Sequence, residues 1–204
     1  MKLLAKIISV LFHPLLLTTY LAIILSIYFP AMMMIRPDNR NTIIGLICVF
    51  TFVLPAINLL MLRYFGSVTS ITLYSRSQRI VPFFLISLLY LLITFLFIYK
   101  LPFSQNFNKL MMIITAMVIV SFLITFFFKI SVHSLAACGA IGILLPLNKA
   151  TEEALLVVPT VLVILIAGIV MSSRLLLEAH SPKEVYYGGL VGFVIGFLGM
   201  IISF

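Results

Sequence analysis

Acidic residues are the scarcest chemistry in this 204-residue chain: five Asp and Glu stand against 13 Lys and Arg, and charged residues make up only 9% of the whole. Soluble domains are about a quarter charged and about half apolar. That poverty of charge, with 64% hydrophobic residues and a mean hydropathy of +1.31, excludes a water-soluble fold. Cys48 and Cys138 both sit inside apolar runs. They exclude a disulfide framework and a thiolate zinc site, and read as small packing residues. The carboxylates Asp38, Glu152, Glu153, Glu178 and Glu184 are too scattered for a carboxylate-held metal hydrolase, so no metal is expected. No internal repeat, low-complexity linker or domain boundary divides the chain.

What is abundant is apolar sequence in runs of about twenty residues, the length that crosses a bilayer as a helix. The runs cover about Ile7–Phe29, Thr42–Leu62, Ile80–Tyr99, Leu110–Phe128, Leu135–Leu147, Ala154–Ser172 and Val185–Phe204. They predict an all-α, polytopic transmembrane helical bundle of about six to seven spans, forming a single integral membrane domain over residues 1–204. The first run reads as an anchor, not a cleaved signal. His13-Pro14 interrupts it; proline fits a first helical turn, and His13 reads as an interface histidine. The joint from Arg36 to Arg40 has turn composition. The net charge of +8 comes from basic residues placed singly at the ends of the runs, which suits membrane lipids and not nucleic acid. Gly188, Gly189, Gly192, Gly196 and Gly199 give the last helix a bare face for close packing. The short, loop-poor chain points to a bacterial inner membrane.

The remaining polar residues gather in three places: Arg76 and Arg79; Lys129, Ser131 and His133; and the stretch from Ser173 to Glu184, which holds Arg174 and His180. Two spans separate each cluster from the next, so all three emerge on one face of the membrane. Arg76, Arg79, Lys129 and Arg174 make an anion pocket, because arginine forks match phosphate oxygens in pairs. Ser131 and Ser173 add hydroxyls. His180 and Glu184 are i and i+4 if a helix begins here, so the carboxylate can hold one ring nitrogen and leave the other aimed at the anion. That is the logic of a histidine nucleophile with its orienter. His133 is the candidate general acid for the leaving oxygen, and the arginines would stabilise a five-coordinate phosphorus. The same stretch is also a capping box, with Ser181 at the N-cap, Pro182 at N1 and Glu184 at N3. One carboxylate can do part of both jobs.

Ser173-Arg174, five residues, His180, three residues and Glu184 resemble the third motif of the type 2 phosphatidic acid phosphatase superfamily, which includes vanadium haloperoxidases and bacterial acid phosphatases. Glu184 stands where that family has Asp. Ser131-Val132-His133 is similar to its second motif, with Ile130 for proline and Val132 for glycine. Arg79 corresponds to the arginine of the first, with Pro82 three residues on and Thr72 where the family has lysine, so that Arg76 or Lys129 would supply the missing cation. The resemblance covers mainly Ser75 to Tyr187 and implies a phosphatase-like core over about residues 75–204. In the family's lipid phosphatases the first two motifs share a loop, whereas here two runs separate them.

The resemblance implies metal-free hydrolysis of a phosphomonoester or pyrophosphate through a phosphohistidine on His180. The expectation is an integral membrane phosphatase with no cofactor, acting on a phosphorylated lipid such as phosphatidic acid, phosphatidylglycerophosphate or an isoprenyl pyrophosphate. A lipid phosphotransferase, and a non-catalytic binder or transporter of phosphorylated lipids, are the alternatives.

Overall fold

The computed structural model describes residues 1–34, 37–70, 73, 75–101, 103–150 and 155–204. Arg36, Thr72, Glu152 and Glu153, each singled out in the sequence, lie outside the described residues. Among the described residues ten α-helices follow one another: α1 Lys2–Leu11, α2 Pro14–Tyr28, α3 Pro30–Met33, α4 Arg40–Cys48, α5 Leu54–Tyr64, α6 Ser77–Tyr99, α7 Gln105–Thr125, α8 Val132–Ala150, α9 Val157–Leu176 and α10 Pro182–Ser203. Among the described residues there is no strand.

A π-helical turn over Val49–Val53 joins α4 to α5 into one stretch of 25 residues, Arg40–Tyr64. Pro55 accounts for part of this irregularity, because it has no N–H to give to the carbonyl four residues back. That carbonyl belongs to Thr51, and the buried Tyr90 hydroxyl of α6 donates to it at 3.0 Å. With α6 to α10 this makes, among the described residues, six helices long and apolar enough to cross a membrane. α1 and α2 pass the same test as a pair but bend by 59° at His13-Pro14, making a seventh crossing if they are one span. The protein is an integral membrane helical bundle, as the apolar runs predict.

Boundaries differ from the hydropathy reading where a polar first turn is helical. Ser104 caps α7, accepting from the Phe107 N–H at 3.1 Å and donating to the Met32 carbonyl at 2.8 Å, so α7 starts at Gln105 and not at Leu110. α10 lies against α8 through its glycines. A Cβ on Gly192 would overlap the Leu135 carbonyl, and one on Gly188 would stand 2.5 Å from the Ser131 carbonyl. Backbone therefore meets backbone here, which carries the start of α10 into the loop between α7 and α8. The Ser131 N–H donates to the Glu184 carbonyl at 3.0 Å across that seam.

Candidate active site

Two helix ends shape the site. α9 closes in a Schellman turn, with Glu178 N–H to the Leu175 carbonyl and Ala179 N–H to the Arg174 carbonyl. Glu178 sits at the position that favours glycine, with φ at 53°, and turns the chain back so that His180 points into the bundle. Ser181 then caps α10, its hydroxyl accepting from the Glu184 N–H at 3.3 Å, with Pro182 in the first turn. The Glu184 carboxylate does not close a reciprocal capping box. It accepts from His180 Nδ1 at 2.6 Å and lies 3.5 Å from Lys129 Nζ.

A carboxylate accepts only, so the proton of a neutral His180 ring is on Nδ1 and Nε2 carries the lone pair. The side chain of His180 is 1% exposed. Burial pulls its pKa down from the ordinary value to about 4; the Glu184 contact opposes this, and Arg79, Arg174 and Lys129 add to it. The ring is thus neutral and nucleophilic at neutral pH.

The second helix end is the break between α1 and α2. Pro14 cannot continue α1, and the last carbonyls of a helix have no partner within it. The Ser9 carbonyl finds one in His133 Nε2 of α8, 3.1 Å away. A carbonyl also accepts only, so His133 carries its proton on Nε2, and its Nδ1 is buried without a partner. His13 caps α2, its Nδ1 accepting from the Leu15 N–H at 3.4 Å, and its ring meets His133 edge-on with centroids 5.5 Å apart. The neutral ring gives its one N–H to Ser9, so a proton for a leaving oxygen, the role expected of His133, would have to stand on Nδ1 of this ring, which lines the cavity described next.

The two breaks face one cavity of about 550 Å³. Lys6, His13, Arg79, His133, Arg174 and His180 line its polar end, and no carboxylate lines it among the described residues. Its walls then become apolar, reaching Tyr90 on α6 and Ile143 on α8. From Arg79 to Tyr90 is about 16 Å of helical rise, roughly half the hydrocarbon thickness of a bilayer.

The three polar clusters come together, though not all of their members reach the cavity. Arg79 donates Nε to the Leu73 carbonyl at 2.9 Å and Nη1 to the Ile130 carbonyl at 3.0 Å, which leaves three of its five N–H groups to offer. Arg76 is exposed and ties the Phe127 carbonyl at 2.9 Å. Lys129 stands behind His180, on Glu184 and the Ala179 carbonyl. The fully buried Ser131 hydroxyl accepts from the Ser134 N–H at 3.3 Å and the Ser134 hydroxyl at 2.9 Å, which caps α8. The Ser173 hydroxyl donates to the Ile169 carbonyl at 2.8 Å. Arg76, Lys129 and Ser131, expected to bind phosphate, therefore do not line the cavity. They hold the loops that carry Arg79, His180 and Glu184.

Sequence reasoning missed Lys6, Ser9 and His13, all on the N-terminal arm. The signal was present in His13-Pro14: a proline break inside an apolar run exposes both a carbonyl and a ring where neither has water to turn to. Among the described residues no three metal-ligating side chains come together. No family model matches the chain, and neither curated proteins nor solved structures include a match.

Proposed function

We propose that this protein is a membrane-bound phosphatase that hydrolyses a lipid phosphomonoester or pyrophosphate through a phosphohistidine on His180. One observation carries the reading. A single cavity is cationic at one end and apolar along the rest, and a buried histidine faces it whose far nitrogen is bonded to a carboxylate outside it. A phosphorylated lipid such as phosphatidic acid, phosphatidylglycerophosphate or an isoprenyl pyrophosphate has that same polarity.

In the mechanism, Arg79 and Arg174 hold the phosphate and stabilise the charge that builds on its oxygens. His180 Nε2 attacks phosphorus, and Glu184 stabilises the positive charge that develops on the ring. Water then opens the phosphohistidine. The spacing of Ser173-Arg174, His180 and Glu184 supports membership of the type 2 phosphatidic acid phosphatase superfamily, and a bacterial inner membrane is the proposed location. Because Arg76, Lys129 and Ser131 are spent on structure, a non-catalytic binder of phosphorylated lipids is the second reading. Incubating the purified protein with a panel of phosphorylated lipids and assaying free phosphate separates the two. Release that disappears in His180→Ala supports the enzyme; tight lipid binding without release supports the binder.

A further inference from the structure

Resting on the reading of the cavity as a site for a phosphorylated headgroup, we infer that the N-terminal arm completes that site: Lys6 and His13 bind headgroup oxygens alongside Arg79 and Arg174. Lys2, Lys6, Ser9 and His13 are the only polar side chains before Thr18. Their spacing puts the first three on one face of α1 and His13 just past its end. α1 turns that face towards the protein. Ala5 and Ser9 are buried, whereas Leu3, Leu4, Ile7 and Leu11 on its other sides are exposed. Polar groups that an apolar run turns inwards point to a functional site, because a helix with no such task has no reason to carry them there.

Two members of the stripe fasten the arm. Lys2 pairs with the exposed Glu178 at 3.0 Å, and neither residue lines the cavity. The Ser9 carbonyl accepts from His133 Nε2 at 3.1 Å, which anchors the arm on a ring that does line it. The other two face the cavity and have donors to give. Lys6 makes no ion pair or hydrogen bond among the described residues. His13 Nδ1 accepts from the Leu15 N–H at 3.4 Å as the cap of α2, so the ring is neutral and its proton stands on Nε2. Among the described residues that N–H has no acceptor. The 59° bend at His13-Pro14 is what turns α1 off the line of α2 and lets both residues reach one space.

An ammonium and a neutral ring N–H, added to two guanidinium groups, suit an anion that presents several oxygens around one phosphorus. A lysine near a bilayer surface can also serve as an anchor, its stem along apolar surface and its charge among lipid headgroups. Anchoring accounts for Lys6 alone and gives His13 no task beyond its cap. Part of the headgroup site thus comes from residues that precede the stretch from Ser75 to Tyr187 on which the phosphatase resemblance rests.

The test uses the full-length protein in detergent, with phosphatidic acid and a prenyl phosphate as probes of binding. For whichever probe the parent takes, Lys6→Gln should weaken affinity about tenfold, the worth of a hydrogen bond to a charged group, and Lys6→Arg should restore most of it. His13→Asn keeps an oxygen for the Leu15 N–H but is too short to replace the Nε2 donor, and should weaken affinity about fivefold. Thermal unfolding of all three should match the parent's. Lys2→Gln removes the same charge from the same helix outside the cavity and should leave affinity within about twofold. Parent-level affinity in Lys6→Gln or in His13→Asn, or equal losses in Lys2→Gln and Lys6→Gln, overturns the inference and leaves the reading of the cavity standing. Binding of neither probe by the parent overturns both.

Discussion

At the turn between α9 and α10 a histidine is partnered by a carboxylate; at the break between α1 and α2 another is partnered by a backbone carbonyl. Both partners fix a tautomer, but only the first brings a full negative charge to a positive ring. In the proposed mechanism His180 is therefore equipped for the charge that develops when Nε2 bonds to phosphorus, whereas His133 holds the N-terminal arm in place through Ser9. Two histidines that line the same cavity thus differ in what stands behind them.

The contrast breaks most visibly if His180 is removed. His180→Ala should lower phosphate release by at least about 10⁴-fold while lipid binding persists, since Arg79 and Arg174 remain. A stopped assay with a parallel binding isotherm checks both halves. Glu184→Gln should cost about 100-fold, because the amide keeps much of the local geometry and loses the charge. It carries a second signature in the pH profile. In the proposed mechanism neutral His180 is the active form, so kcat/KM of the parent should fall on acidification only below the ordinary imidazole range, towards about 4. Glu184 raises that pKa, so its loss should move the acid limb to still lower pH. A limb that moves upwards would mean that the carboxylate does not act on the ring.

How much of this was legible in the sequence depends on the region. The α9–α10 turn was: His180 and Glu184 four apart, beside Ser181-Pro182, stated both the histidine–carboxylate pair and the cap, and in the structure Glu184 holds the ring while Ser181 caps the helix. The helical spans were legible because twenty apolar residues have few other fates. The α1–α2 break was not, since what matters there is a backbone carbonyl, and every residue has one. Which cations would face the cavity was equally hidden. Arg76, Lys129 and Arg79 look alike in sequence, and only the placement of the Phe127 carbonyl beside Arg76, and of the Ala179 carbonyl and Glu184 beside Lys129, decides that these two serve structure.

The carbonyl-partnered half predicts smaller effects. His133→Gln, whose amide keeps an N–H for the Ser9 carbonyl, should lower stability by no more than about 2 kcal/mol, read from thermal unfolding. Smaller still is Glu178→Gly. Relief of the left-handed backbone should stabilise the protein by about 1 kcal/mol, offset little by loss of the exposed Lys2–Glu178 pair, and thermal unfolding of the detergent-solubilised protein reads it. A fall in melting temperature would show that the pair to α1 matters more than the strain.

The most direct measurement of the central claim is a rapid quench of the protein with a phosphorylated lipid labelled at its terminal phosphorus, followed by location of the label. The account predicts an acid-labile, base-stable phosphate on His180, formed before free phosphate appears, absent in His180→Ala and slower to form in Glu184→Gln. Release of phosphate in a burst with no label on His180, or label on His133 or His13, would contradict it.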